Sequence, residues 1–214
     1  MAEKHTSRID KEDERIDGII KVLERAWIKE LDSEGSNNSI TLAGVKQVFA
    51  ALNRVEPFTK ESVFLDLGSG AGIPCIYAAL KYNIPAYGIE IDYSLVRIAS
   101  EFARRAGVSH LVTFYVQDVA ETTVDWYREK AITHIYSYDV VFNSGYWEAM
   151  FVPIEQLSLI GATTKRFKSY WPPTVELIET VNRVMLAGGR SGFAFGIWRN
   201  VLESARRDAS AERD

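Results

Sequence analysis

The chain has 214 residues, of which 47% are hydrophobic and 25% charged, with a formal net charge of −4. That length suits one α/β domain with a helical extension. Nothing in this balance predicts non-specific nucleic-acid affinity, which needs a basic face. One cysteine, Cys75, excludes disulfides and cysteine-zinc sites within the chain.

The start, MAEKHTSRIDKEDER, is polar and unlike a signal peptide. No apolar run is long enough to span a bilayer. The protein is therefore expected to be soluble and not secreted. Residues 1–8 read as disordered. From Ile9 to Leu31 the residues Ile16, Ile19, Ile20, Leu23, Trp27 and Leu31 recur at helical spacing, with charges on the other face. Residues 34–38 (EGSNN) form a loop. Ser39 or Thr41 caps a helix that runs to Asn53, with Val45, Val48, Phe49 and Leu52 on one face. A strand at 63–67, a helix at 72–82, a strand at 85–90 and a helix at 93–106 follow. Then come a strand at 112–116, a short helix near 122–130, a strand at 132–137, a helix at 145–156 and a strand at 159–165. Trp171-Pro172-Pro173 breaks the chain, and segments 175–186 and 191–198 form a hairpin around Gly188-Gly189. Residues 200–214 are charged and read as frayed. The division is a tail and amphipathic helix (1–38), a main domain (39–200) and a charged tail (201–214).

The stretch from Val63 to Asp92 carries the most information. A short apolar strand ends in Asp66, a glycine turn Gly68-Ser69-Gly70-Ala71-Gly72 leads into a helix, and a second strand ends at Glu90. Strand, glycine turn, helix, strand and acid make a βαβ nucleotide-binding unit. A dinucleotide fingerprint reads G-x-G-x-x-G and seats a pyrophosphate on the helix N-terminus. Here the spacing is G-x-G-x-G, and Asp66 stands two residues before the first glycine. A carboxylate there repels a pyrophosphate and suits a cation. S-adenosylmethionine (SAM) carries an ammonium and a sulfonium and no phosphate, so the electrostatics favour SAM over NAD. A Rossmann-like domain without cofactor is the remaining alternative. Glu90 is placed to accept hydrogen bonds from a ribose diol.

D-L-G-S-G-A-G followed by G-I-E-I-D resembles the first two motifs of class I SAM-dependent methyltransferases. The resemblance implies an α/β Rossmann-like sheet of seven strands, five parallel and a C-terminal antiparallel hairpin. It also implies cofactor contacts from Asp66, Gly68, Ser69, Gly70, Gly72 and Glu90. Asp118, ending the third strand, faces the adenine in that architecture or caps the next helix, and Val119 flanks the ring. Asp92 reads as a helix cap.

A narrower match is to the histone lysine methyltransferases that lack a SET domain, the telomeric-silencing-disruptor (DOT1-like) family. Gly88-Ile89-Glu90, Asp118, Trp126-Tyr127-Arg128, Thr164-Lys165-Arg166-Phe167 and Trp198 are similar in order and spacing to features of that family. Tyr138-Asp139-Val140-Val141-Phe142 stands where that family has Asn-Asn-Phe-x-Phe. The resemblance implies a protein substrate, a histone in nucleosomes, and a nuclear location; the alternative is a cytoplasmic small-molecule N- or O-methyltransferase. No metal is implied, because His5, His110 and His134 adjoin no ligand pair. Tyr138, Asp139 and Phe142 are the candidate catalytic residues. With Tyr146, Trp147 and Trp171 the aromatic ones line an apolar channel, or Phe142 and Trp147 belong to the core.

Overall fold

The computed structural model describes residues 2–31, 40–140, 142, 144–164, 174–185 and 191–200. Seven strands form one sheet: β1 (Phe64–Leu67), β2 (Ala86–Glu90), β3 (Val112–Val116), β4 (His134–Ser137), β5 (Leu159–Thr164), β6 (Val175–Met185) and β7 (Ser191–Asn200). Their order is β3-β2-β1-β4-β5-β7-β6. The first five run parallel, and β7 inserts antiparallel between β5 and β6. This is the expected seven-stranded arrangement. Its order reverses beside β1, where open α/β sheets place their ligands at the carboxyl edge.

Six α-helices connect and cover the strands among the described residues: α1 (Ala2–Leu31), α2 (Leu42–Val55), α3 (Ile73–Tyr82), α4 (Tyr93–Arg105), α5 (Val124–Glu129) and α6 (Ser144–Ile154). One face of the sheet is packed by Val45, Val48, Phe49 and Leu52 of α2, Ile76 and Ala79 of α3, and Ile16, Ile20 and Leu23 of α1. The other face holds Leu65, Leu67, Ile89 and Ile135 against Tyr127, Met150 and Ile154. The two faces follow from strand alternation, since Phe64 and Asp66 point one way and Leu65 and Leu67 the other.

Three expectations are corrected. Helix α1 begins at Ala2, so residues 2–8 are not disordered. The stretch before Gly18 has neither glycine nor proline and little cost in helix propensity. The helix expected near 122–130 is present as the shorter α5 (Val124–Glu129), because Thr122 and Thr123 adopt extended backbone and Thr123 caps α5 through the Trp126 N–H; a separate 3₁₀ turn (Val119–Glu121) precedes it. Strand β7 runs on to Asn200. Residues 34–38, the hairpin turn at Gly188-Gly189, Trp171-Pro172-Pro173 and 201–214 lie outside the described residues.

Helix α1 is tied down by charge as well as by its apolar stripe. Asp17 pairs with Lys46 of α2 at 2.9 Å, Asp13 pairs with Lys81 of α3, and the Glu24 carboxylate accepts from the Leu42 N–H. Thr41 caps α2 by accepting from Gly44, and both its N–H and its hydroxyl donate to the Met185 carbonyl of β6. The start of the domain is thereby fastened to the terminal hairpin. Cys75 is buried and donates to the Tyr87 carbonyl, as a structural thiol does. His134 is buried between Thr133 and the Glu56 carbonyl, and burial holds it down at about 4, so it is neutral at pH 7. None of the described helices is long and apolar enough to cross a membrane.

Trp198 is fully buried across β5, where a Cβ on Gly161 would lie 2.0 Å from its ring. Its indole N–H donates to the Thr163 hydroxyl. The tryptophan of the hairpin is thus a core residue whose seat exists only because position 161 has no side chain. Gly161→Ala is expected to lower unfolding free energy by about 1–3 kcal/mol through overpacking, read as a lower urea midpoint with tryptophan fluorescence shifted to the red.

Candidate functional site

The site is built on the carboxyl ends of β1, β2, β4 and β5. The loop after β1 carries three glycines with positive φ: Gly68 (78°), Gly70 (50°) and Gly72 (77°). Gly72 has a second constraint, since a Cβ there would lie 2.3 Å from the Phe114 ring of β3. The loop is pinned to the end of β2. The N–H groups of Gly68 and Ser69 both donate to the Ile89 carbonyl at 2.9 Å, and the Gly70 N–H donates to the Glu90 carboxylate at 2.9 Å. The other Glu90 oxygen accepts from the Asp92 N–H. Each oxygen keeps a lone pair for a further donor such as a ribose hydroxyl. Asp92 caps α4 through the Ser94 N–H, as expected.

Asp66 lies at the inner end of this loop and is 1% exposed. Its Oδ1 has no hydrogen-bond partner. Burial first, and then the neighbouring Glu90, push its carboxyl well above the usual range. A cationic ligand would relieve an acid raised in this way.

Strand β4 supplies the other half. Tyr136 stands opposite Asp66 in the parallel register. Its hydroxyl is buried and unpartnered, and it feels both Asp66 and Asp139. Tyr138 stacks on Phe195 and meets Phe193 edge-on, with its hydroxyl also unpartnered. Asp139 is fully buried. Its Oδ1 accepts two hydrogen bonds from Thr164 of β5, from the N–H at 2.8 Å and the hydroxyl at 2.5 Å. Its Oδ2 has no partner. Burial raises Asp139 to about 7 against the opposing pull of the Thr164 bonds. Phe142, after the turn closed by its N–H on the Asp139 carbonyl, lies against the glycine loop. A Cβ on Gly68 would be 3.0 Å from the ring, and Tyr146 packs beside it at 5.6 Å.

The structure therefore brings Asp66, Gly68, Ser69, Gly70, Gly72, Glu90, Tyr138, Asp139 and Phe142 to one edge. Asp118 and Val119 stand apart in kind. Asp118 accepts from the Ala120 N–H and caps the 3₁₀ turn, which realises the capping alternative. Val119 is buried in the core with Ile89 and Tyr127. Trp171 and Lys165–Phe167 lie outside the described residues, as does the side chain of Trp147. Tyr136 and Thr164 stand at the same edge without having been singled out by the sequence. Tyr136 shares a face with Asp66 through the β1–β4 register, which the sequence does not display. Two clefts lie elsewhere. One of about 350 Å³ opens at the amino ends of β1, β4 and β5 around His134 and Arg199, and one of about 520 Å³ lies between α1 and α4.

The residues fit SAM better than a dinucleotide. The loop holds an unpaired buried acid and a second carboxylate, and among its described neighbours no basic side chain bonds to either.

Comparison with known proteins agrees. A family described as "Methyltransferase domain" matches residues 58–190. The chain is 36% identical over 66 residues to ajmaline N-methyltransferase of Rauvolfia serpentina, covering 31% of this chain and 23% of that protein. It is 34% identical over 80 residues to ribosomal protein L11 methyltransferase of Rhizobium meliloti (strain 1021), covering 37% and 26%. The chain thus spans about a quarter of the curated relatives it matches. Among solved structures, it resembles an RNA methyltransferase from Salinibacter ruber in complex with S-adenosyl-L-homocysteine. The TM-score is 0.53 and the identity 23%, over 74% of this chain and 95% of that one. A TehB-like SAM-dependent methyltransferase from Corynebacterium glutamicum gives a TM-score of 0.53 at 15% identity, over 85% and 98%. These structural likenesses speak for the fold. With more than half its length matched by the family and its sheet in the class I order, the chain belongs to the methyltransferase-domain family of SAM-dependent fold.

Proposed function

We propose that the protein is a SAM-dependent N-methyltransferase acting on a small-molecule amine. The observation that carries this reading is the set of buried polar atoms without partners at the carboxyl edge, Asp66 Oδ1, Ser69 Oγ, Tyr136 Oη, Tyr138 Oη and Asp139 Oδ2, two of which belong to acids. The two acids each keep a buried oxygen without a partner and favour ligand groups that donate hydrogen bonds and carry positive charge, while the hydroxyls can donate or accept. Amines do this, whereas a carboxylate acceptor would bring further negative charge to a site that already holds two acids.

In this reading the two acids serve two amines. Asp66 and the glycine loop hold the methionine end of SAM, with Asp66 facing its ammonium, and Glu90 holds the ribose. Bound SAM supplies a methyl group on a positively charged sulfur that leaves as a neutral thioether. Asp139 Oδ2 faces the acceptor and takes the proton of its ammonium, which frees the nitrogen lone pair. Tyr138 and Phe142 orient the acceptor, and Phe142 with Tyr146 keeps water from the glycine loop. Asp118 and Val119 border the adenine end as its outer wall.

The small-molecule assignment draws on the ajmaline relative and on the acidic composition. The histone-lysine expectation is supported by the motif resemblance alone, and Tyr138-Asp139 replaces that family's Asn-Asn pair. Neither curated relative above is named for a histone.

The test is transfer of labelled methyl from SAM to a panel of primary and secondary amines, phenols, free histones and nucleosomes. Label is expected on amines. Label confined to phenols or to histones would contradict the reading. Glu90→Ala is expected to weaken SAM binding by about tenfold or more, from the loss of charge-assisted bonds contributing roughly 1.5–3 kcal/mol each. Titration calorimetry reads this directly.

A pH dependence follows from Asp139. Its carboxyl is raised to about 7, so it is ionised above that pH and protonated below. The methylation rate of an amine at saturating SAM is expected to fall about tenfold per pH unit below about 7, and Asp139→Asn is expected to remove that acid limb along with most of the rate.

A further inference from the structure

We propose that Thr164 is a positioning residue: its N–H and hydroxyl together hold Oδ1 of Asp139, so that Oδ2 is the oxygen presented to the acceptor amine. The inference rests on the reading of Asp139 given above and deepens it. Both donors come from one residue, the last of β5, and both land on one oxygen, at 2.8 Å and 2.5 Å. Asp139 and Thr164 are each 1% exposed or less, so water does not compete for either bond. A carboxylate held by one oxygen cannot rotate freely, which leaves the second oxygen with a fixed direction.

Thr164 is itself held in place on both sides. Its backbone is in register with Phe195 of β7, and the preceding Thr163 is bonded by the Trp198 indole. The clasp therefore connects the end of β4 to the best-buried part of the terminal hairpin. A valine at 164 would keep the shape and the N–H and lose only the hydroxyl, which makes the hydroxyl separable from packing.

The clasp also bears on protonation. The Thr164 bonds favour the ionised form, and burial opposes them. Among the described residues the other titratable groups on this side are Tyr136 of β4 and Tyr138 just after it, which both feel Asp139, and Asp66 of β1, which acts on Tyr136. β7 contributes the uncharged Phe193 and Phe195 against Tyr138.

The experiment is ¹³C-carboxyl NMR titration of the full chain labelled at aspartate, with the Asp139 signal assigned by its loss in Asp139→Asn. The wild-type midpoint is expected near 7. Thr164→Val is expected to move it upward by about one unit, because a hydrogen bond to the charged form is lost. Thr164→Ser retains the hydroxyl and is expected to titrate as wild type. If Thr164→Val does not fold, Thr164→Cys serves instead; a thiol is a weaker donor, and a smaller upward shift is expected. A midpoint that stays at the wild-type value in the Val or Cys variant, whatever happens to the melting temperature, overturns the inference and leaves Thr164 a packing residue. Labelled-methyl assays with amines on the same variants separate the two claims. A shifted titration with no amine methylated at any pH supports the clasp and sinks the amine reading. Amine methylation with an unshifted titration does the reverse.

Discussion

A carboxyl buried without a cation is the constraint around which this fold is arranged. Asp66 sits one residue before the end of β1, fully buried, and at that depth it finds no base among the described residues. The glycine loop bends over it and is fastened to Ile89 and Glu90 of the neighbouring strand, so a second carboxylate is brought beside the first. Their mutual repulsion adds to the burial cost. Such an arrangement is unfavourable in isolation and becomes favourable when a cation arrives, which is why local cost and ligand preference point the same way.

The same logic extends across the sheet. The parallel register sets Tyr136 opposite Asp66, and the clasp from Thr164 sets Asp139 one step further along the edge. The result is a line of polar groups from β1 to β5, two of them acids, whose walls are aromatic. Helices α1 and α2 and the terminal hairpin stand behind this line as support. Thr41 joins α2 to β6, Trp198 fills the gap left by Gly161, and Trp198 in turn steadies the Thr163–Thr164 pair. Rigid backing of this kind holds unpaired polar atoms in place when they would otherwise collapse on one another.

Much of the fold was legible because its signals are local. The run from Val63 to Glu90 carries apolar strands, turn glycines and terminal acids in an order that one supersecondary unit explains, and the expected strands of the sheet end within two residues of the observed ones. Less was legible where structure depends on distant partners. The first turns of α1 read as disordered because they lack an apolar stripe, although nothing in them breaks a helix. Asp118 could be read either as an adenine contact or as a cap, since both need a carboxylate after β3. Tyr136 and Thr164 carry no motif signal. Their importance comes from register across β1, β4 and β5, and register is a tertiary fact. The role of Trp198 was hidden for the same reason, as its partner Gly161 lies 37 positions earlier.

The central claim is that the unpaired acid of β1 is satisfied by the ammonium of the cofactor. It is tested most directly by comparing the affinity of S-adenosylhomocysteine with that of its deamino analogue, in wild type and in Asp66→Asn, by titration calorimetry. The account predicts that removing the amine weakens binding to wild type by about tenfold or more, and that most of this difference vanishes in Asp66→Asn. An equal loss in both proteins would mean that Asp66 does not recognise the ammonium, and the arrangement of the edge around it would need another cause.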